Sequence, residues 1–357
     1  MNLITLLEFI IFFGMMLFIH ELGHYIVAKI FGIRVEEFGF GYPPRMVKLF
    51  QFRETLFSIN WIPFGAFVRL SGENDPSVPG GFGSAKPLAR IAVLLGGPLM
   101  NLLAGVILFS VMFTQTGVPD SRKVLVSYVE PESPAAQAGM MVGDLIEQVN
   151  QTPITSTSTL QNIIQANKGT TVEIVLLRGE QNIVTYAIPR VEPPPGQGAL
   201  GIGMTNPILQ ASWIETVPLS FAATTDQARL ILEMPGRLIR GEVPQEQARV
   251  VGPVGIYSMF SQARESDEEN AGAANPIDQM LTLRLMTVIT IALGLTNLFP
   301  IPALDGGRIL FILPELIFRK RIPPQYENLV HLVGFVALIL LMFYITAQDI
   351  LNPIQLP

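Results

Sequence analysis

Residues 12–32 read FFGMMLFIHELGHYIVAKIFG, and two of the chain's three histidines fall inside this stretch. His20-Glu21-Leu22-Gly23-His24 is an H-E-x-x-H sequence. Residues four apart lie on one face of a helix, one turn apart, so both imidazoles can reach a single zinc ion. The glutamate beside the first histidine can hold a water molecule and accept its proton. A soluble zinc peptidase would carry these residues on an amphipathic helix. Here the flanking residues are apolar on every side, which places the site within a membrane. There an unpaired polar group is expensive and a bound cation satisfies it.

Zinc in a catalytic site usually has three protein ligands and one open position. The stretch NLFPIPALDGGR, residues 297–308, offers the third. Asp305 follows an apolar run that Pro300 and Pro302 must break. Irregular backbone at membrane depth is tolerated where it is buried in protein or lines a cavity. A carboxylate carried on such a break can meet the two histidines. The alternative for LDGG is an ordinary interfacial turn. His331, at the start of another apolar run, reads as an interfacial residue and a poor third ligand.

The elements that position these residues follow from hydropathy. The chain of 357 residues is 49% hydrophobic and 15% charged. Its mean hydropathy is +0.43, which departs from soluble composition. Four apolar runs, at about 3–31, 91–113, 281–301 and 329–346, are each near the length of about 20 residues that a spanning helix needs. The first has no basic n-region and no cleavage site after it, so it reads as a retained membrane segment. The segment from Lys29 to Arg90 holds eight Lys and Arg, and Arg308, Arg319, Lys320 and Arg321 follow the third run. Positive-inside then makes both loops cytoplasmic, and both termini and the segment at about 115–280 extracytoplasmic. No cysteine is present, which excludes thiolate metal sites. A net charge of −6 argues against nucleic acid as a partner.

The fold class expected is therefore a polytopic α-helical membrane protein with four transmembrane helices, a membrane-associated β-hairpin loop and an inserted α+β domain. Residues 1–115 would form the first part of the core, with the hairpin loop at 33–90 made of short strands. Residues 281–357 would form the second part. Within 120–203, VLVSYVE alternates like a strand. SPAAQAG gives a Ser N-cap, a Pro at the first helical position and a Gly stop. GDLIEQVN reads as a turn and strand, 158–167 as a helix, and TVEIVLL and IVTYAI as a hairpin around RGEQ. That order resembles a PDZ domain of the bacterial protease type, which would bind a peptide or C-terminal segment at a sheet edge. Residues 204–280 read as an amphipathic linker region outside, with 261–275 a solvated loop and PRVEPPPGQG (189–198) a linker.

HELGH in a first transmembrane helix together with N-x-x-P-x-P-x-L-D-G in a later one resembles the site-2 protease family. GGPLMN (96–101) and VGPVGI (251–256) are also similar to that family. The helix order with one PDZ insertion resembles its bacterial regulator-of-sigma-E protease branch, whose proteobacterial members often carry two such domains. The resemblance covers essentially the whole chain. It implies a zinc-dependent intramembrane endopeptidase in the cell membrane, acting on single-pass transmembrane proteins such as an anti-sigma factor, or on signal-peptide remnants. Carried over by motif, His20, His24 and Asp305 would bind Zn2+ and Glu21 would be the general base. Asn297, Pro300 and Pro302 would hold the substrate backbone. Asn101 fits a family motif without a role attached to it. The rival readings are an inactive membrane PDZ scaffold and, from the ionisable groups within spans, a metal transporter.

Overall fold

The computed structural model describes residues 3–194, 196–242, 249–272 and 279–354. The two chain ends, part of the 189–198 linker and the end of the 261–275 segment lie outside the described residues. Two compact units are present. One is Met1–Phe113 with Trp213–Pro357, and the other is Thr114–Ser212.

The first unit starts with α1 (Leu3–Ile30), which carries the H-E-x-x-H sequence. A hairpin follows, β1 (Val35–Phe52) and β2 (Thr55–Leu70), paired antiparallel with many register shifts. These strands run for 18 and 16 residues but pair as shorter stretches: residues 37–40 of β1 pair with 66–69 of β2 and also with 56–59, and 56–59 pair in turn with 47–51. The register shifts mark where each strand bends enough to pair along both of its edges over part of its length. Inside it Glu37 accepts from Arg45 Nε at 2.8 Å and Ser58 Oγ at 2.7 Å, so its buried carboxylate is satisfied. Next comes α2 (Pro87–Thr116), which crosses α1 at very close range. A Cβ built on Gly23 would stand 2.1 Å from Gly96 O, and one on Gly96 2.6 Å from Gly23 O. Small residues let helix backbones approach in this way where lipid gives no hydrophobic drive for association.

The second unit contains β3 (Val118–Pro119), β4 (Val124–Val129), α3 (Pro134–Gln137), β5 (Leu145–Val149), β6 (Thr152–Pro153), α4 (Thr157–Ala166), β7 (Val172–Arg178), β8 (Gln181–Ala187), β9 (Ile202–Thr205) and β10 (Ile208–Leu209). Its main sheet has the order β8-β7-β5-β4-β9, and β3 pairs with β10 where the chain enters and leaves. That pairing makes the unit wider than the 120–203 expected. Ser133 Oγ caps α3 by accepting from Ala136 N, with Pro134 at the first helical position. Val124, Ile146, Leu160, Ile174 and Leu176 form its core. Asp144, buried, accepts from Arg178 Nε at 2.7 Å and from Met141 N at 2.8 Å. The Arg178 guanidinium holds the Asp144 carboxyl below the usual carboxylate range.

Back in the first unit come α5 (Trp213–Ile239), α6 (Pro253–Glu269), α7 (Leu281–Asn297), α8 (Asp305–Phe318) and α9 (Pro324–Leu351). The solvated loop expected from residue 261 is, up to Glu269, the second half of α6. Phe260 and Ala263 on this helix are fully buried, and Phe260 packs with Phe9, Met16 and Met286. Its N-terminus is held by Asp349 of α9, which accepts from Gly252 N at 2.9 Å and Gly255 N at 2.8 Å. Polar composition concealed both. Three helices among the described residues are long and apolar enough to cross a membrane: α1, α2 and α9. The third apolar run is split, because α7 stops at Asn297 and α8 begins at Asp305.

Candidate metal centre

His20 and His24 sit on one face of α1, and both are buried. Asp305 is the first residue of α8, where the helix dipole favours a carboxylate. The break before it folds back tightly. A Cβ on Gly306 would lie 2.2 Å from Leu298 O, and one on Gly307 2.2 Å from Ile301 O. Only glycines allow this return, which carries the carboxylate inward. His20 Nε2 lies 3.2 Å from Asp305 Oδ2 and 3.2 Å from His24 Nε2, and His24 Nε2 lies 3.4 Å from Asp305 Oδ2.

These separations fit zinc. Ligand bonds of about 2.0–2.1 Å in a tetrahedron put neighbouring ligand atoms about 3.3 Å apart. The tautomers agree. His24 Nδ1 is 2.8 Å from Val93 O and must donate to it, which leaves a lone pair on Nε2. His20 Nδ1 is 3.2 Å from Asn101 Nδ2, while the buried Oδ1 of Asn101 has no partner. Turning that amide by half a rotation lets Oδ1 accept from His20 Nδ1–H and satisfies both groups. The second imidazole then also presents its Nε2 lone pair inward. Two lone pairs and a carboxylate oxygen converging within 3.4 Å repel one another unless a cation lies among them.

Gly97 completes the fit. A Cβ there would stand 2.4 Å from His24 Nε2 and 2.7 Å from His20 Nε2, so the space beside both nitrogens is kept open by a missing side chain. Neither Gly97 nor Asn101 could be given a role from sequence. Both lie in GGPLMN, and their task depends on how α2 crosses α1.

Glu21 faces the hairpin, and its Oε2 accepts from Val68 N at 3.1 Å. A cavity of about 230 Å³ joins Glu21, His24 and Asp305 to Ala66, Phe67 and Val68 of β2, with the paired Glu73 and Arg308 also in its wall. Of the residues expected to bind substrate, none lines this cavity. Asn297 ends α7 with its Nδ2 donating to Leu293 O at 2.9 Å. Pro300 is exposed in the break, and Pro302 packs against Gly334 of α9. His331 bonds to the break: its Nδ1 accepts from Ala303 N at 2.8 Å.

The family model described as peptidase family M50 matches residues 8–341. A Clostridium perfringens protein that carries a zinc metalloprotease name is 32% identical over 343 residues, 96% of this chain and 97% of that protein. Zinc metalloprotease RasP of Oceanobacillus iheyensis is 28% identical over 440 residues, 97% of this chain and 98% of that protein. Among solved structures, the PDZ domain of an SdrC-like protein from Listeria monocytogenes is 26% identical and covers 24% of this chain and 90% of that chain, with a TM-score of 0.21.

Proposed function

The chain belongs to peptidase family M50, and from that premise we propose that His20, His24 and Asp305 hold the zinc of this membrane-embedded, site-2-type metalloprotease, with Glu21 as its general base. The observation that carries the assignment is the triangle of ligand atoms, 3.2 to 3.4 Å on each side, with no other cluster of this kind among the described residues. Bound zinc supplies Lewis acidity, which polarises a scissile carbonyl and lowers the pKa of water toward neutrality. Glu21 takes the proton of the attacking water as its oxygen bonds to the carbonyl carbon. As the C–N bond breaks, the same carboxyl returns the proton to the leaving amine nitrogen.

Substrates are single-pass membrane proteins whose helix unwinds locally to expose a peptide bond. Along residues 66–69 β2 has one paired neighbour among the described residues, residues 37–40 of β1, so its other edge there is free. Val68 N–H points from that edge toward Glu21, and Ala66 to Val68 line the cavity beside the metal ligands. An extended segment laid along this edge finds main-chain partners next to Glu21. Asn297, Pro300 and Pro302 act from the break, by shaping it, rather than from the cavity wall.

The chain crosses the membrane four times: by α1, by α2, by α7 and α8 as one broken span, and by α9. The basic loops lie in the cytoplasm, and the termini and the 120–203 region outside. That region is a PDZ domain. A cavity of about 310 Å³ between α4 and β9, lined by Leu160, Ile164, Ile202 and Met204, supports docking of a peptide or C-terminal segment beside the free edge of β9.

Cleavage of a tagged single-pass substrate in membranes tests this, with zinc content measured on the same samples. Wild type should cut. Glu21→Gln should keep zinc and lose at least about 100-fold in rate. Asp305→Ala should lose both zinc and cleavage. Equal cutting by wild type and Glu21→Gln removes Glu21 from its role.

A further inference from the structure

The break between α7 and α8 contains a backbone conformation that its sequence does not favour. Ala303 has φ +74, in the left-handed region that a residue with a Cβ rarely adopts. Such a conformation persists only where the surroundings over-determine it. At Ala303 the surroundings are α9. His331 Nδ1 accepts from Ala303 N at 2.8 Å. One turn further along, Gly334 lies against Pro302, where a Cβ would stand 2.3 Å from Pro302 Cβ. On its other side the His331 ring packs on Phe311 of α8, with centroids 5.4 Å apart. Two consecutive residues of the break are thus pinned by one face of α9, and Asp305 follows two residues later.

We propose that His331 is a positioning residue for the metal centre. Its Nδ1 lone pair holds Ala303 in the left-handed conformation, and this fixes how the break delivers the Asp305 carboxylate. The inference rests on the reading of Asp305 as a zinc ligand. The geometry gives the reason such support is needed. Asp305 Oδ2 must stand about 3.3 Å from two imidazole nitrogens on another helix, and ligand distances tolerate only about ±0.2 Å. Asp305 is the only one of the three ligands borne at the end of an irregular segment. The histidines are fixed by a regular helix and by bonds to Val93 O and Asn101. A neutral ring with its hydrogen on Nε2 is the form that accepts from Ala303, so His331 serves as an acceptor and leaves the metal to the other two histidines.

The experiment uses the full-length protein in detergent, stripped of metal and titrated with zinc against a chromophoric chelator. His331→Phe keeps a ring and removes the acceptor. His331→Asn places an amide oxygen where Nδ1 stood. We expect zinc affinity to fall by about 10- to 100-fold in His331→Phe, the range for lost outer support of a ligand. His331→Asn should stay within a few-fold of wild type. Ala303→Gly added to His331→Phe should recover much of the loss, because glycine adopts φ > 0 without help. Zinc affinity unchanged in His331→Phe overturns the proposal. So does an equal loss in His331→Phe and His331→Asn, which would mean that ring packing and not the acceptor matters. Should His331→Phe fail to fold, Ala303→Gly with His331→Gln, whose oxygen lies beyond the Nδ1 position, gives the same comparison against His331→Gln alone. Asp305→Ala is titrated alongside. If it leaves zinc affinity intact, the ligand assignment fails. If it weakens zinc while His331→Phe does not, only the role of His331 fails.

Discussion

Gly97→Ala is the smallest change that should empty the metal centre. The Cβ it adds would lie 2.4 Å from His24 Nε2 and 2.7 Å from His20 Nε2, against an ordinary contact of 3.4 Å. The shortfalls are 1.0 Å and 0.7 Å, the differences between 3.4 Å and each distance. Ligand positions for zinc tolerate about ±0.2 Å. His24 cannot swing aside freely, because its Nδ1 is bonded to Val93 O at 2.8 Å. Loss of one outer-shell contact costs about 10–100-fold in metal affinity. Displacing two ligands at once should reach the top of that range or pass it, about 2.8 kcal/mol or more. Helix propensity works in the opposite direction, since alanine is favoured over glycine inside a helix by about 1 kcal/mol. The overlap itself costs about 1–3 kcal/mol with or without metal, so the helix gain offsets only part of it, and zinc affinity is read beside the unfolding temperature of the same metal-free sample. Zinc competition with a chelator, done on Gly97→Ala and on Gly14→Ala, reads this directly. A Cβ on Gly14 meets nothing within 4 Å on the same α1 helix that bears the histidines. Gly14→Ala should bind zinc normally. Native zinc affinity and cleavage in Gly97→Ala would refute the placement of the metal beside residue 97.

Asn101→Ala leaves His20 Nδ1–H without an acceptor and should weaken zinc about 10–100-fold, while Asn101→Asp keeps an acceptor and most of the affinity, as chelator competition would show. Gly23→Ala drives a Cβ into Gly96 O at 2.1 Å, a backbone atom that cannot swing away. We expect about 1–3 kcal/mol of destabilisation and a lower temperature of inactivation in detergent. The carboxyl of Asp144 is held low by Arg178, so its contribution to stability is present above its unfolded pKa and is lost as pH falls through its folded one. Hydrogen exchange along β5 and β7 in the intact protein should therefore rise in acid relative to Asp144→Asn, and equal profiles for the two proteins would remove Asp144 from this role.

The sequence made all three corners of the proposed metal triangle legible and left their support hidden, for one physical reason. His20 and His24 are separated by one helical turn, so their convergence is a local matter. Asp305 could be matched to them because two prolines and two glycines mark a backbone break that membrane depth must justify. Asn101, Gly97, Val93 and His331 act across helix crossings, between residues 28 to 81 positions apart for the bonds seen at Ala303, His24 and His20. No periodicity within one segment encodes a crossing. The same limit applies to α6. Its acidic second half reads as a loop, yet Asp349, on α9, caps the start of α6, and Phe260 is buried against Phe9, Met16 and Met286. What the sequence does carry about the crossings is glycine, at positions 23, 96, 97 and 334, each the place where a neighbouring atom occupies the space of a Cβ. In a bilayer, helices gain little from hiding apolar surface from one another, so close backbone contact must hold them together. A metal centre whose proposed ligands come from one helix and a break needs that closeness twice: to bring α2 against the histidines and to press α9 on the segment before Asp305. The glycines therefore belong to the chemistry of the site as much as to its packing: an added methyl group at 97 or 334 should lower zinc affinity as well as unfolding temperature, whereas one at 14, which meets nothing within 4 Å, should lower neither.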